Sequence, residues 1–287
     1  MPTKQNTDWS LVVTAKRSWF NLELKELWRY RDLVLLLFNR DLVTWYKQTI
    51  LGPLWYIVQP LFTTMIYVVV FGNIANISTD GQPKILFYLS GIILWNYFAE
   101  CFKIISDTFM TNKSIFGKVY FPRIIMPLST VLSNLVKFGI QLALFASILI
   151  YYLFQDYQLQ WDATLLLLPV LVVMAGGLSI GLGMIASSLT TKYRDITFLI
   201  TFGIQLLMYG TPVIYPLSEV TEKYAEYEIF ILANPMSAII ETFRYVLLKS
   251  GSLDYGNLLY SFVATIVILF AGMIIFNRTE KSFIDTV

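Results

Sequence analysis

Hydrophobic positions along this chain come mostly in long unbroken runs. A bilayer crossing needs about 20 mostly apolar residues, and six runs approach that length: 53–71, 85–105, 124–154, 165–189, 196–214 and 258–276. The third is too long for a bilayer. At about 1.5 Å per residue it measures on the order of 45 Å, so its start is expected to project into water. A polar stretch, 215–257, separates the last two runs and holds six carboxylates against three cations. Two apolar patches interrupt it, "YEIFILA" and "PMSAIIETFRYVLL", each too short to cross. Asn234 is placed to cap the second, with Pro235 at the first helical position. They read as short re-entrant or interfacial helices, because irregular backbone at membrane depth must be buried in protein or line a cavity. A surface loop carrying one amphipathic helix is the plainer alternative.

The fold class that follows is an all-α polytopic membrane protein with six transmembrane helices. Residues 1–52 form an N-terminal segment and 53–287 the membrane domain. Within the first segment, Leu24, Leu27, Trp28 and Arg31 recur at helical spacing, with Glu23, Lys25, Glu26 and Arg29 around the other side. This predicts an amphipathic helix lying in the headgroup plane or docking on a cytoplasmic partner. Trp45, Tyr46, Trp55 and Tyr56 suit an interfacial aromatic belt at the first crossing. The first twenty residues hold no apolar core of signal-peptide length.

Charge sets the orientation. With even span number both termini share a side, and that side carries fifteen Lys/Arg against four opposite. The positive-inside rule then places both termini and the 2–3 and 4–5 loops in the cytoplasm.

Composition removes whole classes of chemistry. The chain is 56% apolar and 14% charged, with no histidine and one cysteine, Cys101. Ser-His-Asp and Cys-His catalysis, an internal disulfide and a His- or multi-Cys metal site are all excluded. "GK" at Gly117–Lys118 is no nucleotide loop: Val119 follows instead of Ser or Thr, and Asn112 stands where the first glycine belongs. The chain is not expected to hydrolyse ATP or to carry a cofactor of its own. Charges inside the spans are few. Glu100 and Lys103 are spaced to pair across one helical turn, and Lys137 shares a stripe with Asn134 and Gln141. They are too few for a convincing proton relay.

Three helix faces carry aromatic or uncharged polar residues. The first span has Tyr56, Gln59, Thr63 and Tyr67. The second has Tyr88, Gly91, Trp95, Phe98 and Phe102. The fifth has Thr197, Thr201, Gln205 and Tyr209. Such faces suit a sugar chain, whose rings stack on aromatics and whose hydroxyls take uncharged partners; ordinary helix packing explains any one of them equally well. In the fourth span Gly177 and Gly181, with Ser179, Gly183 and Ser187 beside them, predict close helix contact.

Several stretches resemble ABC-2 permeases that export cell-surface polysaccharide, the O-antigen permeases above all, with capsule and teichoic-acid permeases as relatives. They are "RDLVTWYKQTILGPLWYIVQPL" (40–61), "FYLSGIILWNYF" (87–98), "FGKVYFPRIIMPLS" (116–129), "KYRDI" (192–196), "NPMSAIIETFRY" (234–245) and "FNRTEKSFIDTV" (276–287). The resemblance runs in order through about residues 22 to 287. It implies a half-transporter: a homodimer of this chain in membrane lipid, with two copies of a separate cytoplasmic ABC ATPase that binds the ATP and Mg. It also implies an undecaprenyl-diphosphate-linked polysaccharide as substrate. The N-terminal amphipathic helix becomes an interface helix, the 215–250 segment supplies outer gate helices, and the 2–3 loop carries a coupling helix at about 113–121. There, Ser114 would cap a helix over 115–121 whose docking face is Phe116, Tyr120 and Phe121, rimmed by Lys113 and Lys118. Arg29, Arg31, Arg40 and Lys47 are set to meet the carrier's diphosphate, against plain positive-inside retention. No nucleic-acid partner is expected. Another bulky amphiphile as cargo, or a membrane scaffold that transports nothing, are the rival readings.

Overall fold

The computed structural model describes residues 28–47, 51–116, 118–119, 121–158, 162–223 and 225–284. The expected amphipathic interface helix falls largely on residues before 28 and so lies outside the described residues. Among the described residues every regular element is helical. In chain order they are α1 (Arg31–Tyr46), α2 (Trp55–Tyr67), α3 (Lys84–Ser106), α4 (Thr108–Thr111), α5 (Lys113–Phe116), α6 (Ile125–Leu153), α7 (Leu168–Lys192), α8 (Ile196–Tyr209), α9 (Leu217–Lys223), α10 (Ala225–Ala233), α11 (Pro235–Leu248) and α12 (Tyr255–Ile284). A tight 3₁₀ turn, Gly52–Leu54, leads into α2, which runs on as a wider π-helical stretch, Val68–Ile74. Another 3₁₀ turn, Ala163–Leu167, leads into α7.

Among the described residues five helices are long and apolar enough to cross a membrane: Gly52–Ile74, Lys84–Ser106, Ile125–Leu153, Ala163–Lys192 and Tyr255–Thr279. The expected fifth span at 196–214 is shorter than the apolar run suggests. Its helix, α8, has 14 residues, or about 21 Å against the roughly 30 Å of a hydrocarbon core. Pro212 explains the stop. It has no N–H to give and disfavours helical backbone at the residue before it, and Gly210 precedes both. Apolar content continues to Ile214, so hydropathy alone overruns the true end.

The centre of the fold is α3. Fifteen of its 23 residues are buried, as expected for a helix apolar on all sides but one. It packs against α2, α6, α7, α8 and α11. Its neighbour α7 uses glycines on two faces to approach both α3 and α12. A Cβ at Gly183 would lie 2.6 Å from Ile105, and one at Gly181 would lie 2.8 Å from the backbone of Ile268 and Leu269. On the facing helix a Cβ at Gly272 would strike the Gly181 carbonyl at 2.4 Å. The small-residue spacing at Gly177 and Gly181 therefore marks a backbone-to-backbone contact. Its partner Gly272 carries no such spacing and was not legible.

The segment between α8 and α12 is more buried than a surface loop. Twelve of the 14 residues of α11 are buried. Asn234 caps it as expected: its side chain accepts from the Met236 N–H at 3.0 Å and donates to Thr211 Oγ1 at 2.8 Å. At the other end the chain reverses through Lys249 (φ 56°) and Gly251 (φ 81°). Gly251 satisfies two demands at once, since a Cβ there would sit 2.2 Å from Glu241 Oε1. Arg244, fully buried, fastens α11 to its surroundings. It donates to Glu241 Oε2 at 3.0 Å and to the carbonyls of Pro212 and Val213 at 2.8 and 3.0 Å, and its guanidinium lies 4.0 Å from the Phe87 ring. The two carbonyls are those left bare just beyond α8 (Gly91 on α3 leaves room for the guanidinium).

Candidate functional site

Two polar stripes that the sequence places on separate helices face each other. Asn96, Glu100 and Lys103 follow one side of α3, and Asn134, Lys137 and Gln141 follow one side of α6. Together with Tyr56 and Gln59 of α2 and Thr201 and Gln205 of α8 they line a cavity of about 260 Å³. Lys137 crosses it: its Nζ lies 3.4 Å from Glu100 Oε1, 4.4 Å from the Trp45 ring and 5.2 Å from the Tyr56 ring. Glu100 thus pairs across to α6 and not with Lys103 along its own helix. Asn134 is buried and donates to the Thr130 carbonyl at 2.9 Å, while its Oδ1 has no partner.

Four of the expected path residues, Tyr56, Gln59, Thr201 and Gln205, meet at this cavity. The rest do not. Thr63 bonds back to the Gln59 carbonyl at 3.0 Å. Tyr67 stands edge-on to Tyr88, centroids 6.2 Å apart, with its hydroxyl donating to Met208 Sδ at 3.6 Å. Tyr209 is exposed at the end of α8. On α3 the aromatic stripe turns into the protomer. Tyr88 and Phe98 are wholly enclosed and Trp95 is 3% exposed. Trp95, Phe98 and Phe102 form a ladder with centroids 5.4 and 5.9 Å apart. Phe102 alone of the stripe's rings is half-buried. Periodicity reported a shared face correctly, but the face belongs to a central helix with neighbours on every side.

The loop after α3 differs from the expected single helix at 115–121. It holds two short helices, α4 and α5, and α5 ends at Phe116. Pro122 pushes Phe121 out of helical backbone, so a helix running through 121 is disfavoured. Phe116 and Phe121 are buried and not displayed. Phe116 lies 5.9 Å from Phe109 and 5.8 Å from Phe121, and Arg123 sits 4.8 Å over its ring. Phe109 stacks at 4.6 Å on Phe276 near the end of α12. The exposed residues among those described from 107 to 121 are Thr111, Lys113, Ser114, Lys118 and Val119; Tyr120 lies outside the described residues.

Comparison with known proteins decides the family. The sequence profile described as "ABC-2 type transporter" matches residues 32–248. The chain belongs to the ABC-2 type transporter family. It is 28% identical over 254 residues to the O-antigen export system permease protein RfbA of Klebsiella pneumoniae, covering 88% of this chain and 94% of that protein. To the RfbA of Myxococcus xanthus it is 24% identical over 265 residues, covering 92% and 98%. To the polysialic acid transport protein KpsM of Escherichia coli it is 23% identical over 253 residues, covering 87% and 94%.

In this ABC-2 chain the cationic residues picked out near the N-terminus line one short region. Arg29, Arg31, Arg40 and Lys47 are all exposed in or beside α1. Arg31 lies 3.7 Å from Asp32, and Arg40 pairs with Asp41 at 2.8 Å. Asp41 also takes the Ser133 hydroxyl at 3.3 Å, docking α1 on α6 beside buried Leu37. Among the described residues no three His, Cys, Asp or Glu side chains gather in a way that would hold a metal ion. Sequence reasoning missed Asn96. Its four-residue step to Glu100 was the available signal, but it gained meaning only opposite the α6 stripe.

Proposed function

We propose that this chain is the membrane subunit of an ABC exporter that carries lipid-linked polysaccharide of O-antigen type outward across the bacterial inner membrane. Two copies form the conduit and two copies of a separate ATPase drive it from the cytoplasm, where both termini lie. The observation that carries this reading is similarity over 87–92% of the chain to two O-antigen export permeases and a polysialic acid transport protein, with 94% or more of each relative covered. The polar cavity supports it, since amines, amides and hydroxyls are the groups that the polar head of a lipid-linked cargo needs. On this reading the segment from α4 to residue 121 meets the ATPase, presenting Lys113 and Lys118, and α8 crosses the bilayer together with the turn that follows it. The polysialic acid transport protein's similarity keeps a capsular glycan as the second reading.

The test is reconstitution of the chain with its ATPase in proteoliposomes loaded with lipid-linked glycan. ATP-dependent appearance of glycan on the far leaflet is expected. Hydrolysis that neither responds to the glycan nor moves it would end the proposal.

A further inference from the structure

The cavity between α2, α3, α6 and α8 holds more charge than a sugar path requires. Two amines, Lys103 and Lys137, line it against one carboxylate, Glu100. An amine held largely out of solvent costs desolvation energy unless something anionic repays it; the Lys137 side chain is 14% exposed, while Lys103 reaches the same cavity from an exposed position. Glu100 does so for one in part, at 3.4 Å. An ammonium has three N–H donors, and the ring faces of Trp45 and Tyr56 attract the Lys137 charge without using them. Lys103 enters none of the ion pairs among the described residues.

A second, independent observation comes from Asn134. It is 2% exposed, lines the same cavity and leaves Oδ1 without a partner. A buried acceptor without a partner keeps its desolvation cost, which an occupant with a hydroxyl would recover. The occupant therefore combines anionic oxygens with a neighbouring donor. At about 260 Å³ the cavity is smaller than the roughly 300–1,000 Å³ of ordinary ligand pockets; it suits one headgroup and not a chain of sugars. Its exposed lining residues Gln59 and Gln205 stand one turn from exposed Phe62 and Phe202. A polar interior with an apolar rim is the shape that receives the head of an amphiphile while its tail stays in lipid.

We propose that this cavity is a phosphate-headgroup site, with Lys103 and Lys137 taking the phosphate oxygens and Asn134 a hydroxyl beside them. The proposal rests on the export reading above and assigns to α3 and α6 the contact that the exposed arginines of α1 were expected to make. Two sources share this chemistry: the diphosphate of the lipid-linked glycan, and an anionic phospholipid.

The experiment uses the permease–ATPase complex in phosphatidylcholine nanodiscs, titrated with undecaprenyl diphosphate, with bound lipid counted by native mass spectrometry. Removing one charge-assisted hydrogen bond should weaken binding about tenfold, so Lys103→Gln with Lys137→Gln should weaken it about a hundredfold. The Lys103→Arg, Lys137→Arg pair should keep most of the affinity, which separates charge from folding. Arg29→Gln with Arg31→Gln should change nothing. Unaltered binding by the double glutamine variant would overturn the site. Competition by phosphatidylglycerol at equal potency would support the site and name the bulk lipid as its source; failure to compete would support it and name the diphosphate. A complex that binds through the two lysines yet moves no glycan removes the export reading and leaves the site. One that exports glycan with lysine-independent binding removes the site alone.

Discussion

Trp95 and Phe98 illustrate how a residue's role depends on which helix it stands on. Both belong to a stripe suited to stacking sugars, and both are enclosed by their own protomer, at 3% and 0% exposure. A second copy packed against this one could only bury them further. Their substitution is therefore expected to act on stability. In a soluble core Trp or Phe→Ala costs about 3–5 kcal/mol. Between membrane helices the transfer share shrinks, and the packing that disappears should leave a cost of about 2–3 kcal/mol. Trp95→Ala is expected to lower the thermal midpoint of the purified protein and its yield, with export per surviving complex unchanged. A stable Trp95→Ala protein that fails to export would return the ring to the substrate path.

At the scale of elements, α11 is held by ion pairs with different exposure. The Arg244–Glu241 pair is buried at 3.0 Å. Removing one partner strands the other charge, so Glu241→Gln and Arg244→Met should each cost about 3–5 kcal/mol. The double variant should recover part of that, with a coupling energy of about 1–3 kcal/mol in a thermal double-mutant cycle. Strict additivity would show that the two side chains act separately. At the far end of α11, Lys249 donates to Asp162 Oδ1 at 2.6 Å and to Thr164 Oγ1 at 2.7 Å, tying α11 to the entry of α7. Lys249, followed by the bonds from Thr164, holds the Asp162 carboxyl down to about 2. A lowered folded value means that the tie is present above the unfolded carboxyl value of about 3.9 and is lost as pH falls towards 2. Protection of the amides at 162–167, taken against the intrinsic exchange rate at each pH, should fall over that interval, and Asp162→Asn should remove that fall.

At the scale of the whole molecule, the loop after α3 is joined to the last helix. Phe116, Arg123 and Phe109 form one cluster, and Phe109 stacks on Phe276. A push on this loop would reach α12 through that stack, and α12 meets α7 backbone to backbone at Gly181 and Gly272. Phe276→Ala is expected to lower glycan moved per ATP hydrolysed several-fold, with ATPase association retained; unchanged stoichiometry would remove the stack from the coupling route. Much of this architecture was readable in advance. Hydropathy located the long helices because lipid demands about 20 apolar residues per crossing whatever the fold. Asn234–Pro235 announced the start of α11 because capping is local chemistry. The end of α8, the inward turn of Phe116 and Phe121, and the enclosure of the α3 stripe were not readable from apolar periodicity. In a bilayer core and a protein core alike the residues are apolar, so periodicity cannot tell a lipid-facing ring from a buried one. The sequence by itself determined where helices form and which residues share a face. Only tertiary packing decided which faces meet, and so set Lys137 of α6 against Glu100 of α3 and opened a cavity between them.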